Sequence, residues 1–339
     1  MKEVYVEDAI GMVLCQDLTE IVPGEKKGVA FKKGHVIREE DIPKLLDIGK
    51  RHIYVWDTTE GYVHENDAAV RMFQAAVGTG VDGSEPAEGK VSLRAAHDGV
   101  VKINEQLLWE ACEDPMVCFA TIHGNKLVKK GSLLGGTRVI PLVVEEAVVS
   151  RFERLCAEKG PLVSVLPLQP CRIGIVTTGS EIKSGRIADR FGPVLRAKAA
   201  ELGADVVGQV CVGDETEDIK QAILDYIEQG VDLVEVSGGM SVDPDDRTPG
   251  AIHTIADEVV TYGTPVLPGA MFMLAYVKGV PVVGLPGCVM FARRTVYDLV
   301  VPRLVAGERV TRADIIKLAY GGQCLQCDTC VYPDCGFGY

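Results

Sequence analysis

The chain has 339 residues, enough for about two domains, because one core rarely grows past ~250 residues. An apolar fraction of 47% and a mean hydropathy of +0.14 exclude a disordered chain. The net charge of −13 gives no long-range field toward nucleic acid or an anionic membrane, and aromatics at 6% beside abundant Val, Ile, Gly and Ala favour α/β layers.

The first residues, MKEVYVEDAIGMVL, hold no basic segment followed by an apolar one, so no signal peptide and a cytoplasmic location are expected. EVYVEDA, GMVLCQD and VAFKKGHVI carry strand signals. EEDIPKLLDIGK has helical spacing and ends near Gly49, and HIYVW returns as a strand. HENDAAVRMFQAAVG spaces Val70, Phe73 and Val77 about one helical turn apart. GTGVDGSEPAEGK (78–90) reads as a loop or linker.

From 91 to 143 the period turns to strands, broken at HDG, HGN and GG, which predicts a small β-rich unit. EEAVVSRFERLCAEKG is a helix, and PLVSVLPLQP (161–170), with three prolines, reads as a hinge. Three regions are expected: an N-terminal region over 1–160, an α/β domain over 171–306 and a cysteine-rich tail over 318–339.

The α/β domain has the clearest pattern. RIGIVT (172–177) is a strand, followed by a helix near 189–202, and DVVGQVCV is a strand. GDETEDIKQAILDYIEQG is a helix, with Asp214 placed to cap it and Gly230 to stop it. VDLVEV is a strand; TPGAIHTIADE opens a helix with Thr248 as cap and Pro249 at its first position. PVVGLPG is a strand and turn, with a helix from about Cys288. The apolar stretch GAMFMLAYVKGVPVVGLPGCVMFA (269–292) is broken by Lys278, Pro281, Gly284, Pro286 and Gly287 into pieces too short to cross a bilayer. Such alternation predicts a largely parallel sheet with helices on both faces.

Three of these strands empty into special loops: TTGSEI (177–182), SGGMSVDPDD (237–246) and GLPGCV (284–289). Ligands of open α/β sheets sit beyond the carboxyl ends of the strands. Glycines let backbone approach a ligand, and free N–H groups of a following helix suit a phosphate. Thr178, Ser180, Ser237 and Ser241 add hydroxyls, while Asp243, Asp245 and Asp246 suit a hard cation such as Mg2+.

In this order and spacing, the loops resemble the molybdopterin-binding domain shared by the MoeA/gephyrin and MogA-type (MoaB/Mog) proteins of molybdenum cofactor synthesis. The matches are Thr178-Gly179-Ser180-Glu181 to a TGDEL-like turn, Ser237-Gly238-Gly239-Met240-Ser241-Val242 to an SGGVSVGDYD-like loop, and Gly284-Leu285-Pro286-Gly287 to a GLPGNP-like turn. The resemblance spans about residues 170–305 and extends faintly to EDAIGMVLCQDL and FKKGHVIREEDIPKLLDIGKRHIYV near the N-terminus.

It implies molybdopterin or its adenylylated form as ligand, and magnesium-assisted molybdate insertion as the reaction. In that reading Asp243, Asp245 and Asp246 hold metal near the phosphates. Thr178, Gly179, Ser180, Ser237, Gly238, Gly239, Ser241, Pro286 and Gly287 cradle the ligand, and Glu181 and Asp214 line the cleft. It also implies a homodimer.

Several positions depart from the family pattern. Inserting enzymes carry a KPGKP-like segment whose lysines face the anion; here it is VLPGAM, with Leu267 and Ala270 at those places. Ser180 replaces the aspartate of the first turn, and Cys288-Val289 the Asn-Pro of the last. A MoeA-type DGYA stretch and C-terminal β-barrel are not legible. Arg293 and Arg294 are candidates for replacement charge, against a solvated role, and Cys288 for a thiol activated at a helix start, against a plain buried one. Two alternatives to a cofactor-synthesis enzyme stay open. One is a carrier or sensor docking a molybdoenzyme or maturation partner; the other is a CinA-type nucleotide pyrophosphatase.

Eleven cysteines are present, seven of them scattered singly as expected of reduced thiols acting as small hydrophobes. The other four form CLQCDTCVYPDC: Cys324, Cys327, Cys330 and Cys335 at C-x2-C-x2-C-x4-C. Four thiols in so short a tail predict a metal site, either a [4Fe–4S] cluster or a structural Zn2+, against a pair of disulfides or a loose thiol tail.

Overall fold

The computed structural model describes residues 2–22, 26–55 and 61–339. The chain divides into two compact units, each discontinuous in sequence: 1–95 with 103–122 and 131–164, and 96–102 with 123–130 and 165–339. The cysteine tail therefore belongs to the second unit.

In the first unit Lys2–Tyr5 pairs antiparallel with His52–Val55, and Leu18–Val22 with Lys26–Phe31. Val4, Val6, Leu14, Ile37, Leu45 and Ile53 close a small core. The segment GMVLCQD makes no strand. Its Val13 bridges Val36 while the next residue, Leu14, bridges Val55, so no ladder develops. Trp56, placed at the end of the HIYVW strand, lies outside the described residues.

A four-stranded antiparallel sheet follows in the order Val81–Gly83, Lys90–Ala95, Leu133–Val139, Val117–Thr121. Helices Glu65–Ala76 and Glu146–Lys159 pack beside it, tied by Arg71, whose guanidinium reaches Glu146 at 2.7 Å and Glu153 at 2.8 Å. The linker expected over 78–90 is thus partly sheet, because Val81–Gly83 adds an edge to the strand Lys90–Ala95. A helix not expected from the sequence, Glu105–Ala111, starts where the Asn104 side chain accepts the Leu107 N–H at 3.1 Å. The expected hinge at 161–170 contains a strand, Val163–Pro167, whose Val163 and Val165 turn inward while the prolines stay at its margins.

In the second unit β1 (Arg172–Thr178), β2 (Asp205–Val212), β3 (Leu233–Ser237), β4 (Glu258–Tyr262), β5 (Met273–Val277) and β6 (Val280–Leu285) form one sheet in the order β2-β1-β3-β6-β5-β4. The first four in that order are parallel, and β5 and β4 complete the sheet antiparallel. Lys278 and Gly279, both at positive φ, turn β5 tightly into β6. The apolar 269–292 stretch is therefore a buried hairpin and a turn. Among the described residues no helix is long and apolar enough to cross a membrane.

The alternation of side chains along these strands builds two cores. Ile173, Ile175, Leu274 and Val283 face α1 (Phe191–Glu201) and, beyond the sheet, α4 (Val296–Val305). Val176, Val234, Val236 and Val282 face α2 (Thr216–Glu228) and α3 (Thr248–Ile255). Burial on both faces is what near-continuous apolar strands require.

Candidate functional site

The three special loops leave adjacent parallel strands at one edge. Thr177 of β1 lies level with Ser237 of β3, and Ser237 lies level with Leu285 of β6. The carboxyl ends of β1, β3 and β6 thus stand side by side, and their turns form one rim.

The rim is closely fitted to itself. Gly238 has φ +91°, and a Cβ there would stand 2.3 Å from the Thr178 carbonyl oxygen. Gly239, at φ +55°, faces the hydroxyls of Thr248 and Thr178. The Thr248 hydroxyl donates to the Gly238 carbonyl at 2.8 Å and lies 3.2 Å from that of Thr178. These glycines serve contact between the first two turns. Thr248 is the first residue of α3, after the cap position Arg247, and its role is to join the turns.

Site candidates consequently fall into two groups. Ser237 is fully buried and donates its hydroxyl to Thr177 at 3.3 Å; Thr178 is 2% exposed, and Gly179 and Pro286 are also buried. Those four form the base of the rim. Ser180, Glu181, Ser241, Asp243, Asp245 and Gly287 are exposed, Asp246 half-buried. Gly287 has open space where a Cβ would stand. Met240, which the sequence did not single out, buries its thioether against Gly284, and the Tyr262 hydroxyl donates to the Met240 carbonyl at 3.2 Å, fixing the second turn from β4.

Asp214 joins the rim by a route different from the one expected. The residue before α2 is Glu215, and no side chain caps that helix. The Asp214 carboxylate instead accepts the Ser180 N–H at 2.9 Å, linking the loop after β2 to the first turn. In the acidic loop Asp246 folds back to accept the Asp243 N–H at 3.3 Å. Among the described residues no three His, Cys, Asp or Glu side chains converge as a metal site. The aspartates therefore make no preformed magnesium site.

Beyond β6 the chain makes only a short 3-10 turn, Gly287–Met290, and α4 begins at Val296 behind a cap from Thr295. Cys288 does not open an α-helix, and burial pushes its thiol up rather than down. Arg293 and Arg294 precede α4 and are turned away from the role of anion donors. Arg293 donates to the main-chain carbonyl of Asp328 at 2.6 Å. Arg294 bonds Asp298 at 2.8 Å and Glu201 at 2.7 Å. Of the scattered cysteines, Cys15, Cys156 and Cys171 are buried with thiols pushed up to about 11, about 11 and about 12, but Cys112 is exposed.

The tail is fastened to this unit. Leu267 donates its N–H to Gly322 O and accepts the Cys324 N–H, both at 2.8 Å, so the tail adds itself to the VLPGAM segment. The Tyr332 hydroxyl donates to Asp298 O at 2.7 Å, and Phe337 enters the core. All eleven cysteines are free thiols.

Residues 174–306 match the model of a family described as a probable molybdopterin binding domain, and residues 3–57 match a domain of unknown function. A CinA-like protein of Mycobacterium tuberculosis is 42% identical over 77 residues, 23% of this chain and 18% of that relative, and one from Mycobacterium avium is 39% identical over 77 residues. The match thus spans less than a fifth of the length of these curated relatives. A solved structure of the molybdopterin biosynthesis enzyme MoaB from Thermus thermophilus is 25% identical, covering 41% of this chain and 98% of that one with a TM-score of 0.37. The tungsten cofactor synthesizing protein MoaB of Pyrococcus furiosus is 21% identical over 35% of this chain and 84% of its own, with a TM-score of 0.32. Over residues 174–306 the chain is similar to the family described as a probable molybdopterin binding domain.

Proposed function

We propose that the rim formed by the turns after β1, β3 and β6 binds molybdopterin or its adenylylated form, and that the protein acts late in molybdenum cofactor synthesis or delivery. The observation that carries this reading is the level register of Thr177, Ser237 and Leu285, which brings three exposed turns together inside the matched domain. Ser180 and Ser241 offer hydroxyls to the ligand's polar edge, and open space at Gly287 admits its backbone-facing side. The buried Thr178–Thr248–Gly238 bonds hold the turns in place before a ligand arrives, which lowers the ordering cost of binding.

Magnesium is proposed to enter with the ligand's phosphates, held by one or two of Asp243, Asp245 and Asp246, as is usual for this ion. Delivery is favoured over insertion by Leu267 and Ala270, which bring no positive charge to an oxyanion, and by Arg293 and Arg294, already engaged elsewhere. A homodimer and a docked molybdoenzyme are further parts of the same proposal, resting on the family resemblance.

Incubating the purified protein with adenylylated molybdopterin, molybdate and magnesium separates the readings. Tight retention without nucleotide release is expected; nucleotide release with cofactor formation would establish insertion. The CinA-like likeness favours a second reading, and hydrolysis of a pterin-free dinucleotide would support it in place of the first.

A further inference from the structure

A cavity of about 440 Å³ lies beside the rim, and all four tail cysteines, Cys324, Cys327, Cys330 and Cys335, line it together with Arg293 and Arg294. Residues 291–294, which follow the third turn, line it together with the tail. Two of the thiols, Cys324 and Cys335, sit half-buried against the core; Cys327 and Cys330 are exposed. Four thiols from a twelve-residue segment thus face one space, in a tail held by main-chain bonds to Leu267 and by Arg293.

The size of that space favours one of the metal groups the spacing allows. A tetrahedral zinc with Zn–S near 2.3 Å needs its sulfurs only about 3.8 Å apart. No three of these thiols stand close enough to share an ion. The cavity is about fifteen times the ~30 Å³ share of one water, far more than a single ion fills. A cuboidal iron–sulfur cluster, whose iron atoms stand at its corners, spreads its four thiolates much wider.

We propose that this cavity binds a [4Fe–4S] cluster through Cys324, Cys327, Cys330 and Cys335, with Arg293 holding the loop that carries Cys327 and Cys330. Loading is ligand exchange: each thiol loses its proton to solvent and its sulfur bonds one iron of a cluster assembled from equal ferrous and ferric iron with sulfide, so that no electron is gained or lost. Arg293 positions the ligands. Its guanidinium donates to the carbonyls of Cys327, at 3.4 Å, and Asp328, at 2.6 Å, and so pins the loop between Cys327 and Cys330. Arg294 lies over Tyr332, 5.0 Å from the ring centre, and bonds Asp298 and Glu201. Hydrogen bonds and charge around cluster sulfurs tune their potential and stability. The proposal stands independently of what the rim binds.

The full chain, purified without air and supplied with equal ferrous and ferric iron and with sulfide, tests it. About four iron and about four labile sulfide per chain are expected, with a visible charge-transfer band that dithionite bleaches. Cys327→Ser and Cys330→Ser should each lower iron content several-fold while leaving the thermal unfolding of the metal-free protein unchanged, since both side chains are exposed. Cys112→Ser, an exposed thiol of the other unit, should leave loading unchanged. Arg293→Ala should shorten the cluster's half-life in air several-fold without lowering its initial content. About one zinc per chain and no chromophore would overturn the proposal, as would iron loading indifferent to the Cys327 and Cys330 variants, or no loading of either metal.

Discussion

Glu235 lies on β3, the strand that delivers the glycine-rich turn, and its side chain is fully buried on the same face as Leu233. One carboxyl oxygen accepts the Tyr297 hydroxyl at 2.7 Å; the other has no partner. Burial lifts this carboxyl from the usual 4.5 to about 7, against the lesser pull of the Tyr297 bond and of Lys198. Its folded value exceeds its unfolded one, so its stabilising effect is complete below about pH 4.5 and is lost as pH rises to about 7. The whole effect is on the order of 3 kcal/mol. Urea midpoints at pH 5 and pH 8 should show wild type losing stability over this interval, with Glu235→Gln losing much less. An equal loss in both would contradict the buried acid.

Glycines at the rim illustrate what residue type alone conveys. Gly238 and Gly287 read alike in sequence, yet one is locked at positive φ against Thr178 and the other faces open space. Gly238→Ala should cost about 1–2 kcal/mol from the left-handed backbone, and more from the clash, while Gly287→Ala should be nearly neutral in thermal unfolding. Ser237 and Thr178 were legible as rim residues, but only the fold reveals that their hydroxyls point to the protein's own atoms.

Between elements, the tie of α1 to α4 is a buried charge group. Lys198 meets both oxygens of Asp298 at 2.9 and 3.0 Å, and Asp298 also accepts the Thr295 N–H at 2.8 Å as part of the helix cap. Removing one partner leaves the other ion buried alone, so Asp298→Ala should cost about 3–5 kcal/mol by chemical denaturation. Replacing the pair together, Lys198→Met with Asp298→Leu, should recover much of that. If the double variant is no more stable than Asp298→Ala, the pair is not the source of the loss.

The same cap explains a misplaced boundary. The apolar run from about Cys288 reads as the start of a helix, but Thr295 and Asp298 form a capping box that starts α4 at Val296. The T-x-x-D signal was in the sequence and was outweighed by hydrophobicity. Strands of the sheet were easier, because burial on both faces leaves continuous apolar runs with glycine or proline at their ends. Helix Glu105–Ala111 was hidden by its seven-residue length, too short to show a period against flanking strands.

At the scale of the molecule, chain order predicted which strands supply the rim, since strand–helix alternation leads to parallel neighbours with loops at one edge. It did not predict that 96–102 and 123–130 belong with the second unit, because that membership rests on contacts far apart in sequence. Nor did it predict that the tail would lie along the Leu267 segment. Cysteine spacing raised the expectation of a metal site without saying which other residues would line the cavity.

Ligand binding at the rim is the claim on which the functional account turns. Titrating molybdopterin into the wild-type protein and into Gly287→Trp, with bound ligand followed by its fluorescence, measures it most directly. The account predicts saturable binding by wild type and at least tenfold weaker binding by the variant, with unchanged thermal unfolding. Equal affinity in the two proteins, or no saturable binding by wild type, would contradict it.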